Sequence, residues 1–252
     1  MKKILDIPLI EEISKTGYVV IKKFIPIELI EKIKNDSILT KKNGENCFAI
    51  ERYSALCEIF KFIYNTRIFN KIYQNPEYGY NSDFNVETNA NWHDDIGSLH
   101  CNKNEKNFFY QDFDLIEDSK PPVVKFCIYL TDTNKNDCLV LLDKFSNEVV
   151  LKSSIGDLII FDVRLKHRGK KPSRYLNKFN SIFRKLTKKK RSALFFTIGD
   201  GGLLSQRYFL TLFRRQIVKS RTYVMVPDIK IDDLKISNSV KEEIDITKKF
   251  FN

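Results

Sequence analysis

Apolar positions in the first third of the chain change period twice. Leu9, Ile10 and Ile13 fall at helical spacing, Gly17–Ile21 is an extended β-branched run, and helical spacing resumes from Ile27 to Ile33. The pattern predicts helix, strand, helix. Residues 41–52 are polar and read as a loop, whereas Ala55–Tyr73 carries helical periodicity with an aromatic face. From Phe84 to Leu165 the character shifts to short β-rich runs separated by polar turns: VVKFCIYLTDT, DCLVLLDKF, EVVLKSS and, after Gly156, GDLIIFDVRL. A last strand, RSALFFTIGDGG, spans Arg191–Gly202, and residues 203–252 read as a helical and polar extension. Several short strands joined by tight turns predict a mainly β fold with flanking helices (α+β), closed as a sandwich or barrel. No internal repeat or low-complexity linker interrupts the chain, so a single domain over residues 1–252 is expected.

One segment breaks the β pattern. Residues 172–190 place Tyr175, Leu176, Phe179, Ile182, Phe183 and Leu186 on one helical arc, with Arg174, Lys178, Lys185 and Lys189 along its flank. Pro172 suits the first turn of such a helix, and Lys188–Arg191 suit the negative end of its dipole. This basic amphipathic insert either packs its apolar stripe on the barrel or docks on an anionic membrane surface, with aromatic residues entering the headgroup region. A second aromatic and basic cluster runs from Arg207 to Arg221.

Composition adds three constraints. With 42% apolar residues, including 20 Phe and 11 Tyr, 252 residues can bury one sizeable core. Asp6, Glu11 and Glu12 interrupt the opening MKKILDIPLIEE before an apolar signal-peptide region forms, and no apolar run is long enough to span a bilayer. Cys47, Cys57, Cys101, Cys127 and Cys138 are odd in number and form no C-x-x-C pair, as expected of reduced, mostly buried thiols. A cytoplasmic protein is therefore expected, with peripheral contact at the inner face of the cytoplasmic membrane if the insert docks there. The formal charge of +11 points to a polyanionic partner: nucleic acid, an anionic membrane or a phosphorylated substrate.

Candidate chemistry centres on NWHDDIGSLH, residues 91–100, which holds two of the three histidines. In an extended segment His93 and Asp95 face the same side and Asp94 faces away. An H-x-D pair alone is a weak signal, and a solvated loop histidine explains it equally well. The second feature is GDLIIFDVRLKHRG, in which a strand delivers His167 at its end. Two imidazoles and a carboxylate form a facial triad that leaves adjacent positions open on an octahedral ion, the arrangement with which iron(II) oxygenases hold an organic acid and dioxygen together. Zinc hydrolysis with the same ligands would want an additional general base.

Four ordered segments resemble the phytanoyl-CoA dioxygenase family of iron(II)/2-oxoglutarate oxygenases: GYVVIKKFIPIELIEKIKND, NWHDDIG, VVKFCIYLTDTNKNDCLVLL and GDLIIFDVRLKHRG. The resemblance implies a double-stranded β-helix, a jelly-roll or cupin-like core, with His93, Asp95 and His167 as iron(II) ligands. It further implies 2-oxoglutarate and O2 as cosubstrates, succinate and CO2 as coproducts, and an arginine for the far carboxylate of 2-oxoglutarate. Arginine suits that task through its bidentate fork. The matching position is Arg191, with Ser192 as helper. Arg191 follows His167 by 24 positions, more than the family pattern has, which leaves Arg174 and Arg184 as competitors. The presence of Asp95 favours hydroxylation over halogenation. Lys125 and Tyr129 share one strand face and would lie beside the cosubstrate if that face is the inner one; register alone leaves the outer face open. His100 is read as a loop histidine, with a substrate contact as the alternative.

LLDKFSNEVV stands where many relatives carry a P-G-S-H loop, a trimming that should leave the site open. An open, basic site suits an anionic glycan, a lipid-linked saccharide or a lipopolysaccharide precursor, and bacterial Kdo hydroxylases are similar in this description. The alternatives are a hydroxylase of a small metabolite or nucleotide-activated sugar, and a catalytically silent jelly-roll binding module. A nucleic-acid oxygenase has only the charge in its favour.

Overall fold

The register of each strand follows from its apolar residues, because a slip by one position would exchange the two faces. The computed structural model describes residues 9–34, 46–48, 54–79, 83–86, 91–96, 120–133, 138–169, 191–220, 237–242 and 245. In chain order the elements are α1 (Leu9–Thr16), β1 (Tyr18–Ile21), α2 (Ile27–Lys34), β2 (Asn46–Phe48), α3 (Ser54–Asn65), α4 (Ile68–Ile72), β3 (Glu77–Tyr78), β4 (Asp83–Val86) and β5 (Val123–Tyr129). They continue as β6 (Leu139–Leu142), β7 (Glu148–Leu151), β8 (Leu158–Asp162), β9 (His167–Gly169), β10 (Ser192–Gly199) and α5 (Leu203–Ser220).

Among the described residues, a seven-stranded sheet runs β1-β8-β5-β10-β4-β2, with β3 also pairing β10, and a three-stranded sheet runs β7-β6-β9. All these pairings are antiparallel. From β5 onward the chain passes from the large sheet to the small one for β6 and β7, returns for β8, crosses for β9 and returns for β10. Two facing antiparallel sheets wound in this way are a jelly roll, so the mainly β architecture expected from the strand spacing is the one formed.

The large sheet has two distinct faces. Val124, Phe126 and Ile128 of β5 and Leu194, Phe196 and Ile198 of β10 pack with Ile13, Ile59, Phe60, Ile63 and Phe69 beneath the helices. Phe126 and Phe196 stack at 4.8 Å, Phe60 meets Phe196 edge-on at 4.9 Å, and Phe69 meets Phe126 at 5.2 Å. The opposite face carries Cys127, Tyr129, Ile159, Phe161 and Ala193, which meet Leu139, Leu141 and Leu151 of the small sheet inside the barrel.

Two glycines set the entry of β1 and β8. Gly17 ends α1 at φ 90°, its N–H donating to Ile13 O, and a Cβ there would lie 2.7 Å from Leu165 Cδ1. Gly156 has φ 84°, and a Cβ there would lie 2.6 Å from Ile25 O. Asp157 secures the same corner by accepting the Lys23 and Ser154 N–H groups and the Lys22 ammonium.

Two local expectations need correction. The helix expected over Ala55–Tyr73 is divided at Thr66 and Arg67, where Arg67 adopts φ 56° and the Thr66 hydroxyl donates to Ile63 O, ending the hydrogen-bond ladder of α3. The polar 41–52 segment contains β2, which is held by pairing with β4 rather than by apolar content. Beyond α5, Ser237 N–H donates to Tyr78 O and Val240 packs into the helix-side core, so this part of the C-terminal region is tied to the domain. The insert at 172–190, with Arg174 and Arg184, lies outside the described residues, as do His100 and Cys101. Cys127 and Cys138 are buried and form no disulfide. No helix among the described residues is long and apolar enough to cross a membrane.

Candidate metal centre

His93 and His167 are brought together by backbone before any side chain acts. His93 N–H donates to His167 O at 3.1 Å and His167 N–H donates to His93 O at 2.7 Å, so the two residues form an antiparallel bridge that adds the 91–96 segment to the edge of the small sheet. Asp95 N–H donates to Val163 O, fixing the segment two residues further on. A residue pair of this kind places both side chains on the same face. Here it is the barrel interior, where His167 stands opposite Leu141 and against Phe161, with ring centroids 5.0 Å apart.

The imidazoles are oriented by their own backbone. His93 Nδ1 lies 2.7 Å from Asn91 O and His167 Nδ1 lies 3.0 Å from Leu165 O. With Nδ1 donating to a carbonyl, each Nε2 keeps its lone pair for a ligand, an arrangement common behind metal-binding histidines. Ligand atoms of His93, Asp95 and His167 all lie within 4.8 Å of one another. Asp94 is half-buried and does not belong to this group.

Electrostatics keep the donor set in its metal-binding protonation state. Burial lowers the His167 pKa to about 4, helped by Lys125 and His93 and opposed by Asp95, so the ring is neutral near pH 7. Burial works against ionisation of Asp95, but the Lys125 ammonium, His167 and His93 outweigh it and hold the carboxyl at about 2. Two imidazoles and a carboxylate match the donor set of a divalent transition ion.

The other predicted residues divide by face. Lys125 turns into the barrel and donates from Nζ to Asp95 Oδ2 at 2.9 Å, and its ammonium stands 5.2 Å from the centroid of the Phe195 ring. Tyr129 lies in the barrel-interior cluster. Arg191 precedes Ser192 and has the alternation phase of Ala193 and Phe195, the barrel-facing residues of β10. Ser192 has the phase of Leu194 and Phe196 and so belongs to the helix-covered face, away from the barrel. Its backbone carbonyl accepts from Leu130 N–H.

Sequence reasoning missed the reverse side of the bridge. Arg168 and Trp92, each next to a predicted ligand, project from the outer face of the small sheet, where the Arg168 guanidinium lies 4.4 Å from the centroid of the Trp92 ring and 3.3 Å from Glu148 Oε2. The signal was present in the paired neighbours W-H and H-R, but the pairing of the two segments was not. The β6–β7 connection, singled out as trimmed, is a tight hairpin in which Asp143 Oδ1 accepts the Phe145 and Asn147 N–H groups.

No family model and no curated protein matches the chain. Solved structures do. The non-heme alpha ketoglutarate dependent epimerase SnoN from nogalamycin biosynthesis aligns with a TM-score of 0.55 at 9% identity, over 80% of this chain and 84% of that one. SnoN in complex with Fe3+, alpha ketoglutarate and nogalamycin RO aligns with a TM-score of 0.54 at 10% identity, over 80% and 85%. The carbocyclase SnoK of the same biosynthesis aligns with a TM-score of 0.54 at 13% identity, over 77% and 83%. The chain therefore shares the fold of non-heme alpha-ketoglutarate-dependent enzymes, a jelly roll whose interior carries a His-Asp-His set.

Proposed function

We propose that the protein is an iron(II)- and 2-oxoglutarate-dependent dioxygenase of the phytanoyl-CoA dioxygenase type, hydroxylating an anionic saccharide. The observation that carries this reading is the convergence of His93, Asp95 and His167 inside the barrel, with both Nε2 atoms free for a ligand and the carboxyl ionised. When bound, iron(II) would supply oxidative decarboxylation of 2-oxoglutarate and insertion of oxygen into an unactivated C–H bond.

The chain's own part is to hold, orient and exclude. His93, Asp95 and His167 are the residues that would hold the ion. Arg191, on the barrel-facing phase of β10, is the residue for the far carboxylate of 2-oxoglutarate, and Ser192, on the other face, takes no part in that contact. Tyr129, Phe161 and Leu141 form an apolar wall that keeps bulk water from the site. Asp95 would hold the ion where a halogenase lacks a carboxylate, which favours hydroxylation over halogenation.

The substrate class rests on the formal charge of +11 and on the basic residues between His167 and Arg191. They suit a glycan, a lipid-linked saccharide or a lipopolysaccharide precursor, met at the inner face of the cytoplasmic membrane. Purified protein supplied with iron(II) and 2-oxoglutarate is expected to release succinate without added substrate, and His167→Ala is expected to abolish that release. Iron-loaded wild type that forms no succinate, alone or with phosphorylated and lipid-linked saccharides, would instead identify a silent binding module.

A further inference from the structure

The unexpected group in the metal centre is a second cation. Lys125 begins the barrel-facing row of β5, opposite Phe161 of β8 and Thr197 of β10. Its ammonium is 2.9 Å from Asp95 Oδ2, the same carboxylate oxygen that lies 3.8 Å from His167 Nε2. The pair is largely removed from water, with side-chain exposures of 16% for Lys125 and 12% for Asp95, and the nearby Phe195 ring offers the ammonium its face. A charge so placed cannot be ignored by an ion binding to Asp95, because screening by solvent is weak there.

Charge counting gives the consequence. Asp95 and Lys125 cancel, so the pair adds no net charge to the metal-free centre. A divalent ion entering alone leaves two uncompensated positive charges in a site of low polarity, and it competes with Lys125 for Asp95. A dianionic 2-oxo acid entering with the ion offsets the ion's two charges; Arg191, assigned to its far carboxylate, adds the same single charge to every state and leaves this difference unchanged. Without Lys125 every state is one charge less positive, and the ion alone meets both a smaller penalty and no competitor for Asp95.

We propose that Lys125 couples metal binding to cosubstrate binding: its ammonium is the resident partner of Asp95 that a lone divalent ion must displace, and it becomes counter-charge to the dicarboxylate once ion and cosubstrate are both present. The inference rests on the dioxygenase reading and assigns Lys125 a positioning role within it. Coupling of this kind is reciprocal, so 2-oxoglutarate tightens the ion as much as the ion tightens 2-oxoglutarate. It also disfavours a centre loaded with metal and open to oxygen before the cosubstrate arrives.

The test is Mn(II) affinity of the full chain, measured by chelator competition with and without 2-oxoglutarate, a readout independent of turnover. In wild type, 2-oxoglutarate should tighten Mn(II) within the range of roughly 5- to 150-fold typical of coupled sites. In Lys125→Met, Mn(II) alone should bind more tightly than to wild type, and the enhancement by 2-oxoglutarate should shrink by about tenfold or more. Lys125→Arg, which keeps the charge, should keep the coupling. Lys125→Gln provides the same neutral comparison if the methionine variant fails to fold, judged by circular dichroism. Equal enhancement in wild type and the neutral variant, or weaker Mn(II) binding by a folded neutral variant, overturns the inference while leaving the dioxygenase reading intact. Failure of wild type to bind Mn(II) under any condition overturns both.

Discussion

The two faces of strand β5 do different work over the same seven residues. Val124, Phe126 and Ile128 face the helices and bury only apolar and aromatic surface. Lys125, Cys127 and Tyr129 face the barrel, where the row begins with a charged group paired to a metal-ligand candidate and continues into an apolar wall. Strand β10 repeats the division, with Leu194, Phe196 and Ile198 on one side and Ala193, Phe195 and Thr197 on the other. One face stabilises the sheet, and that stability allows the other to hold partly dehydrated charges in place. A closely packed layer resists the relaxation that a buried ion pair would otherwise cause.

The largest expected effect falls on the stabilising face. Phe196→Ala, which removes a ring contacting Phe60, Phe69 and Phe126, should cost about 3–5 kcal/mol in denaturant unfolding. The protein that remains folded should bind metal as wild type does. Loss of metal affinity in proportion to stability would mean that the faces are not separable.

The next effect belongs to the barrel face and depends on pH. His167 has its folded pKa lowered from 6.5 to about 4, so between these values the unfolded chain binds a proton that the folded chain does not. Stability of the metal-free protein should therefore fall as pH drops from 7 toward 4, by on the order of 3 kcal/mol from this group. Asp95, held at about 2, adds a further loss as pH falls from its ordinary value of 3.8 through about 2. Denaturation midpoints across pH should show the first slope in wild type and a flatter one in His167→Gln.

Smaller still is a contrast between two adjacent residues. Arg191→Met should raise the KM for 2-oxoglutarate by about 10- to 100-fold, the range expected for losing a charge-assisted hydrogen bond of about 1.5–3 kcal/mol. Ser192→Ala, on the helix-covered face, should leave that KM unchanged. A matching rise for Ser192→Ala would place the face assignment of β10 in error.

The fold was legible wherever burial repeats with a short period. Strands β5, β6, β7, β8 and β10 each carry enough β-branched and aromatic residues to announce themselves, and turn residues such as Gly156 mark their limits. Strands β2, β3 and β9 were not legible, because two or three residues hold no period and their extended form comes from the neighbouring strand. The division of Ala55–Tyr73 into two helices was hidden for a related reason: Thr66 and Arg67 can both continue a helix, and the break is made by backbone geometry at Arg67.

The ligand set was legible because strand alternation selects Asp95 over Asp94 and because His167 follows a recognisable strand, although it opens β9 in the other sheet, five residues beyond the end of β8, rather than ending that strand. What joins them was not legible. The His93–His167 bridge is a long-range pairing across 74 positions of chain, and neither segment carries a register signal for it. The Lys125–Asp95 contact depended on the inward phase of β5, which the sequence left open and the sheet decides. Ser192 was chosen for adjacency to Arg191, yet in a strand adjacency guarantees opposite faces.

The central claim is that the barrel face holds one divalent ion through three residues from two separate segments of chain. Anaerobic titration with Co(II), followed by its visible absorption, tests it most directly. The account predicts saturation at one ion per chain in wild type, and loss of the absorbing species in His167→Ala while Phe196→Ala retains it in the folded fraction. Absence of Co(II) binding by wild type, or full binding by His167→Ala, would contradict it.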